Sequence, residues 1–285
     1  MKVIHLSDLH FPTPLPFFSL KGKMFTGYIN FYFRRRKKYP LQLLNSLIQS
    51  VKNSAYDLLI ISGDLTNVSH EYEFQKAREI LDPLLDERTF IIPGNHDRYI
   101  HSAIYPTDLF EKYFSEYMGE KIGSSTYIYL KKINNYHILG WDSNYPSGIG
   151  IASGRIDSKV IDETIQYLKN RSIHEYFLVC HHPLWNPYGY EETKYHRMVN
   201  REEVIQKLNE YPPSFYFHGH KHSNFYKKAD NKIKFNIINS ASSTMKSYES
   251  HYCGYHTLDI SSEKLIVKRK AYNDVEFVDT ELLEY

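Results

Sequence analysis

The sequence has almost no cysteine. Cys180 and Cys253 are the only two in 285 residues, too few for a disulfide framework, and the count fits a reducing compartment. It also lacks any apolar run near the ~20 residues that a membrane-spanning helix needs. The opening Met1-Lys2-Val3-Ile4-His5 turns polar too early for a secretory leader. The expectation is a cytoplasmic protein, peripheral at a membrane if a local basic stretch serves that purpose. Neither sign of charge is in excess. The 35 Lys and Arg against 33 Asp and Glu give a net charge of +2, so no global field selects nucleic acid over another partner. No solenoid-period repeat and no low-complexity tract divides the chain. A single domain over 1–285 is expected.

What is present is a succession of short apolar runs, each ending in polar residues: Val3–Leu6, Leu58–Ile61, Phe90–Ile92, Ile138–Trp141, Phe177–Cys180 and Phe215–Phe217. Runs of three to five rich in Val, Ile, Phe and Tyr read as buried strands. Between them lie stripes at helical spacing: Leu43, Leu44, Leu47, Ile48 and Val51; Phe74, Ala77, Ile80, Leu81 and Leu84; Ile161, Ile165 and Leu168; Val204, Ile205 and Leu208. Strand and helix alternate through two thirds of the chain, which argues for α/β layering. Ile233–Ile238, Tyr255–Ile260 and Lys264–Lys268 follow as strands without helices between them. Mixed sheets with helices outside are expected.

Five polar motifs each follow a predicted strand: Asp8-Leu9-His10, Gly63-Asp64, Gly94-Asn95-His96-Asp97, His181-His182-Pro183 and His218-Gly219-His220-Lys221-His222. Loops at the carboxyl ends of strands build the site in open α/β sheets, so all five converge on one edge. Asp8 and His10 are two apart, and on extended backbone they point to one side; His220 and His222 share that spacing. Gly63 and Gly94 permit a sharp turn that brings Asp64 and Asn95 close to an ion. Carboxylate, amide oxygen and imidazole together suit Mn, Fe, Co or Zn better than Ca or Mg. A bridging carboxylate can hold two ions roughly 3.5–4 Å apart, as in-line phosphoryl displacement uses. Singly, Asp-x-His is common and Gly-Asp is more often a turn dipeptide than a ligand pair; the ordered set is not common.

This order of motifs, from Asp8 to His222, resembles the signature of the calcineurin-like metallophosphoesterase superfamily. The resemblance implies a four-layer α-β-β-α sandwich of two mixed sheets flanked by helices, with two metal ions (Mn, Fe or Zn). It further implies Asp8, His10, Asp64 and His222 on the first ion. Asp64 would bridge to a second, completed by Asn95, His181 and His220. His96 would be a cationic partner of the phosphate or leaving oxygen, oriented by Asp97. Gly140-Trp141-Asp142-Ser143, then Gly150 and Gly154-Arg155-Ile156, resembles the cyclic-nucleotide phosphodiesterase-like branch; read without it, they are a strand, a turn and a helix start with Asp157 or Ser158 as N-cap. The expected activity is a metal-dependent phosphodiesterase, in which a metal-bridging hydroxide attacks phosphorus while His96 assists the leaving group. A nuclease, a phosphomonoesterase and a metal-binding scaffold are the alternatives.

Residues 11–40 break the pattern with three early prolines, then Phe25, Tyr28, Phe31 and Tyr32 at helical spacing, then Arg34-Arg35-Arg36-Lys37-Lys38. Three expectations compete: a helix packed on the body by its aromatic face, a lid that selects substrate, or attachment to an anionic membrane surface or nucleic acid through the five cations. The stretch from about 271 to 285, with Asp274, Glu276, Asp279, Glu281 and Glu284, reads as a loose acidic tail. His251, Tyr252, Tyr255 and His256 fall in no motif and read as structural.

Overall fold

The computed structural model describes residues 1–125, 127–247, 253–261 and 264–285; His251 and Tyr252 lie outside the described residues. Two mixed sheets form the body. The first combines β1 (Lys2–Leu6), β2 (Leu58–Ile61), β3 (Thr89–Ile91), β11 (Gly254–Ile260), β12 (Leu265–Tyr272) and β13 (Phe277–Thr280) in the order β13-β12-β11-β1-β2-β3. The second contains β4 (Glu120–Lys121), β5 (Ile128–Ile133), β6 (Tyr136–Trp141), β7 (Tyr176–Cys180), β8 (Phe215–His218), β9 (Phe225–Lys227) and β10 (Asn236–Asn239), in the order β4-β5-β6-β7-β8-β10-β9. β1, β2 and β3 run parallel, as do β6, β7, β8 and β10.

The side-chain period of two sorts each strand between two cores. In β7, Phe177 and Val179 join the core between the sheets, with Leu59, Ile61 and Phe90. Tyr176, Leu178 and Cys180 pack the other way, with Ile161, Ile165 and Leu168 of α5 (Ser158–Asn170) and Val204 and Leu208 of α6 (Arg201–Leu208). The first sheet is covered by α2 (Leu41–Lys52), α3 (Glu71–Leu81) and α4 (Leu109–Met118). The predicted stripe of α2 is buried in full. The result is the expected arrangement of two mixed sheets flanked by helices. No helix among the described residues is long and apolar enough to cross a membrane.

Two expectations change. Residues 271–285 do not trail away: β13 pairs antiparallel with β12, and Phe277 is buried 5.4 Å from the Tyr255 ring. Asp279 pairs with Lys268 at 2.7 Å, and Glu284 bridges to Tyr226. One buried phenylalanine and a ladder of main-chain bonds hold a segment that its charge count reads as solvated. In 11–40, α1 (Lys23–Asn30) runs into a π-helical turn, Phe31–Arg35. Tyr28 and Phe31 face inward with Leu15, Leu20 and Tyr39, against Val68 and Met245. Phe25 and Tyr32 face outward, so the four aromatics do not form one buried stripe.

Candidate metal centre

The five motifs meet where β1, β2, β3, β7 and β8 end. Five of the seven expected ligands, Asp8, His10, Asp64, His220 and His222, have φ between 40° and 69°. Left-handed backbone costs a non-glycine residue about 1–3 kcal/mol and collects at functional sites. The convergence of Asp8 with His10, and of His220 with His222, therefore comes from sharply turned backbone rather than the extended backbone their spacing suggests. Glycine at 63 and 94 is required by space. Gly63 has φ 101°, and a Cβ at Gly94 would lie 2.2 Å from Asp64 Oδ1.

The side chains then point inward. Asp64 Oδ2 lies 3.6 Å from His10 Nε2 and 3.4 Å from His181 Nε2, between the two imidazoles. Asp8 Oδ1 is 3.2 Å from His222 Nε2. Asn95 Oδ1 is 3.1 Å from His181 Nε2 and 2.8 Å from His220 Nδ1. Donor atoms of Asp8, His10 and His222, and of Asp8, Asp64 and His181, lie within 4.8 Å of one another, as do those of His10, Asp64 and His96.

Outer contacts fix which nitrogen of each ring is available. His10 Nδ1 lies 3.1 Å from the Thr66 carbonyl and His181 Nδ1 2.8 Å from the Ser62 carbonyl. Donating there, each ring turns its Nε2 lone pair to the centre. His220 is reversed, with Nε2 2.8 Å from the His196 carbonyl and Nδ1 inward. Backbone carbonyls orient metal-binding imidazoles in this way. Burial, then Arg35, drives the His10 pKa well below its ordinary value, and burial, then His182 and His181, does so for His220. Burial works to raise the carboxyls, but His222 beside Asp8 and His181 beside Asp64 outweigh it and keep both anionic. Burial opposes charge on His181 too, yet Asp64 raises it to about 9, so at neutral pH its Nε2 keeps a proton that a bound ion would displace. Two carboxylates, an amide oxygen and imidazole lone pairs aimed at one volume suit borderline divalent ions.

His96 sits beside this cluster, and its surroundings differ from expectation. Its Nδ1 lies 2.6 Å from the Asn67 carbonyl, and its ring stacks on Tyr99. Burial, opposed by Asp64 and aided by Arg35, lowers its pKa to about 4, so the free centre holds it neutral rather than cationic. Asp97 does not orient the ring. Its carboxylate accepts from the Gly94, Leu65 and Thr66 amides and the Thr66 hydroxyl, tying the Gly63-Asp64 turn to the Gly94 loop. Asp142 accepts from Arg98, and Ser143 Oγ meets His182 Nδ1 at 2.8 Å, so this strand end braces the centre from outside. Asp157 caps α5 without a side-chain cap bond and pairs with Arg155.

Two residues enter that no motif marked. Arg35 reaches in from the π-helical turn, with Nη2 3.3 Å from His10 Nε2 and Nη1 3.5 Å from His96 Nε2, held by Tyr39 Oη at 3.2 Å. Glu192 is 3.4 Å from His220 Nε2, and burial raises its pKa to about 7. Both line, with His96, Glu191 and Lys221, a cleft of about 400 Å³ over the centre. In sequence, Arg35 is one of five consecutive cations, and only the helix phase separates it from its neighbours.

The family model for calcineurin-like phosphoesterases matches residues 1–224. No curated protein sequence matches the chain. Among solved structures it is similar to a dimetal phosphatase from Danio rerio, at 12% identity over 98% of both chains and a TM-score of 0.61. A purple acid phosphatase from yellow lupin seeds gives 12% identity over 98% of this chain and 52% of that one, with a TM-score of 0.62. GAP50, the anchor in the inner membrane complex of Plasmodium, gives 12% over 99% and 88%, with a TM-score of 0.55. At such identity these are likenesses of fold.

Proposed function

The chain belongs to the calcineurin-like phosphoesterase family, and from that premise we propose that it is a dinuclear phosphodiesterase. The observation behind this is the set of seven donors at five strand ends, with the ring protons of His10, His181 and His220 turned outward onto backbone carbonyls. Asp8, His10, Asp64 and His222 would hold one ion, and Asp64, Asn95, His181 and His220 the other, with Mn, Fe or Zn the candidates. Bound there, the ions supply Lewis-acid neutralisation of phosphate charge and an activated water. The protein's own residues do the rest. Arg35 is placed to receive a phosphate oxygen beside His10 and His96. His96 keeps its ring aligned through Nδ1 and the Asn67 carbonyl, leaving Nε2 toward the cleft. The negative charge of a bound ester raises the proton affinity of that nitrogen. A proton taken up from solvent on Nε2 would be placed to hydrogen-bond or pass to the leaving oxygen. Asp97 acts on the loops and not on this proton.

Arg35 and Lys221 line the cleft together with Glu191 and Glu192, and this mixed wall suits the single negative charge of a diester. A non-catalytic scaffold does not need His96 or Arg35 in the cleft. Residence in the cytoplasm is supported by two buried free thiols. The test is hydrolysis of bis-p-nitrophenyl phosphate against p-nitrophenyl phosphate after chelation and return of Mn²⁺. Faster diester turnover, slowed about 10²–10⁴-fold in His96→Ala with metal content unchanged, is expected. Faster monoester turnover would make it a phosphatase, and no metal-dependent turnover of either would remove the enzymatic assignment.

A further inference from the structure

Residues 11–40 have an unusual electrical and apolar character. They hold seven of the 35 basic residues and none of the 33 acidic ones, leaving 28 basic against 33 acidic, net −5, on the rest of the chain. The same segment projects apolar side chains outward. Phe18 is 89% exposed and Phe33 73%, with Phe17, Phe25 and Tyr32 also exposed. They are grouped: Phe17 lies 6.1 Å from Tyr32, Tyr32 lies 5.2 Å from Phe33, and the Arg36 guanidinium sits over the Tyr32 ring. The inner side is already satisfied by Leu15, Leu20, Tyr28 and Phe31 packed on Val68 and Met245. A short helical segment apolar on its inner side and aromatic on its outer side needs a second apolar medium.

We propose that this outer face is a foot that seats the protein on an anionic lipid bilayer. Phenylalanines at the tip enter the boundary between headgroups and acyl chains, while Arg34, Arg36 and Lys37 meet lipid phosphates. Two features favour a bilayer over nucleic acid. The side chains that project furthest are phenylalanines rather than polar aromatics, and the cations flank an apolar patch instead of tracking a groove. The foot is tied to the catalytic centre by the chain itself. Phe33 and Arg35 are two residues apart in the π-helical turn, so they leave it on opposite sides, Phe33 outward and Arg35 to His10. Their Cα atoms are separated by at most about 7 Å. Seating the foot therefore holds the catalytic centre near the bilayer surface, where a lipid-borne phosphodiester would be its substrate. That last consequence rests on the phosphodiesterase reading, whereas the docking does not.

The experiment is co-sedimentation of the full-length chain with vesicles of phosphatidylcholine and phosphatidylglycerol, against phosphatidylcholine alone and a single-stranded oligonucleotide. Binding to the anionic vesicles is expected, weakening with salt. Phe18→Ser and Phe33→Ser together should lower the partition coefficient about 100-fold, roughly tenfold for each phenylalanine. Arg34→Ala with Lys37→Ala should lower it about 25-fold, roughly fivefold per cation. All four substitutions are at exposed positions, and circular dichroism and turnover of a soluble diester should match wild type. Loss of that turnover in the wild type would sink the catalytic reading while leaving vesicle binding to decide this one. Absence of binding to anionic vesicles, equal binding by the variants, or binding to the oligonucleotide alone would overturn the foot.

Discussion

Replacing Glu73 with glutamine isolates one buried acid whose energetics can be worked from its surroundings. Glu73 is fully buried on α3, and its carboxylate accepts from the Asn67, Val68 and His70 amides. These bonds lower its pKa, but burial is the larger effect and raises it from 4.5 to about 7. A raised acid binds its proton in the folded state at a pH where the unfolded chain has released it. Stability therefore falls as pH climbs through the window from 4.5 to 7, and the loss is complete above that. At 1.36 kcal/mol for each tenfold change in proton affinity, the carboxyl costs the fold about 3 kcal/mol at high pH relative to acid. Glutamine does not titrate, although it loses an amide contact at every pH. Urea unfolding of both proteins from pH 4 to 8, at equal metal load, should show the wild type losing about 3 kcal/mol relative to Glu73→Gln across that window. Other titrating groups cancel in the difference. Parallel stability curves would refute the argument, since Glu73 would then have the same proton affinity folded and unfolded. The residue also bears on chemistry, because the loop it holds presents the Asn67 carbonyl to His96.

Asp64→Ala should strip both ions, not one, since Oδ2 faces His10 and His181 together; elemental analysis showing one retained ion per chain would refute the bridging assignment. Arg35→Ala should lower kcat/KM for a diester by roughly 10–100-fold, as expected for a lost charged hydrogen bond, and Arg35→Lys should recover only part, because a point charge does not replace the planar fork. Unchanged kinetics in either would remove Arg35 from the site. Arg98→Met leaves Asp142 buried without its 2.9 Å partner, at a cost of about 3–5 kcal/mol, so thermal unfolding should begin roughly 10 °C lower. A drop of a degree or two would mean that the pair contributes little.

Sequence alone determined the layering and the family. Periods of two and near 3.6 are local properties of strand and helix, so α2 and the β7 alternation follow from spacing. The candidate ligands were legible because each follows a strand end, where chain direction gathers the loops of each sheet at one end. What spacing could not supply was long-range. The five left-handed backbones at the candidate ligands lie where loops of both sheets meet, with Gly63 and Gly94 in close contact between them. Whether Asp97 meets a ring or loop donors depends on contacts across 31 to 32 residues, which supply three of its four donors. The burial of Phe277 depends on pairing with β12 and on Tyr255, which its acidic neighbours conceal. Five cations in a row are equivalent in sequence; the π-helical turn sends Arg35 to the centre and leaves Arg34, Arg36 and Lys37 outside. Local periodicity is a property of a window of residues, but which side chain enters a shared cavity is settled only when distant segments compete for the same volume.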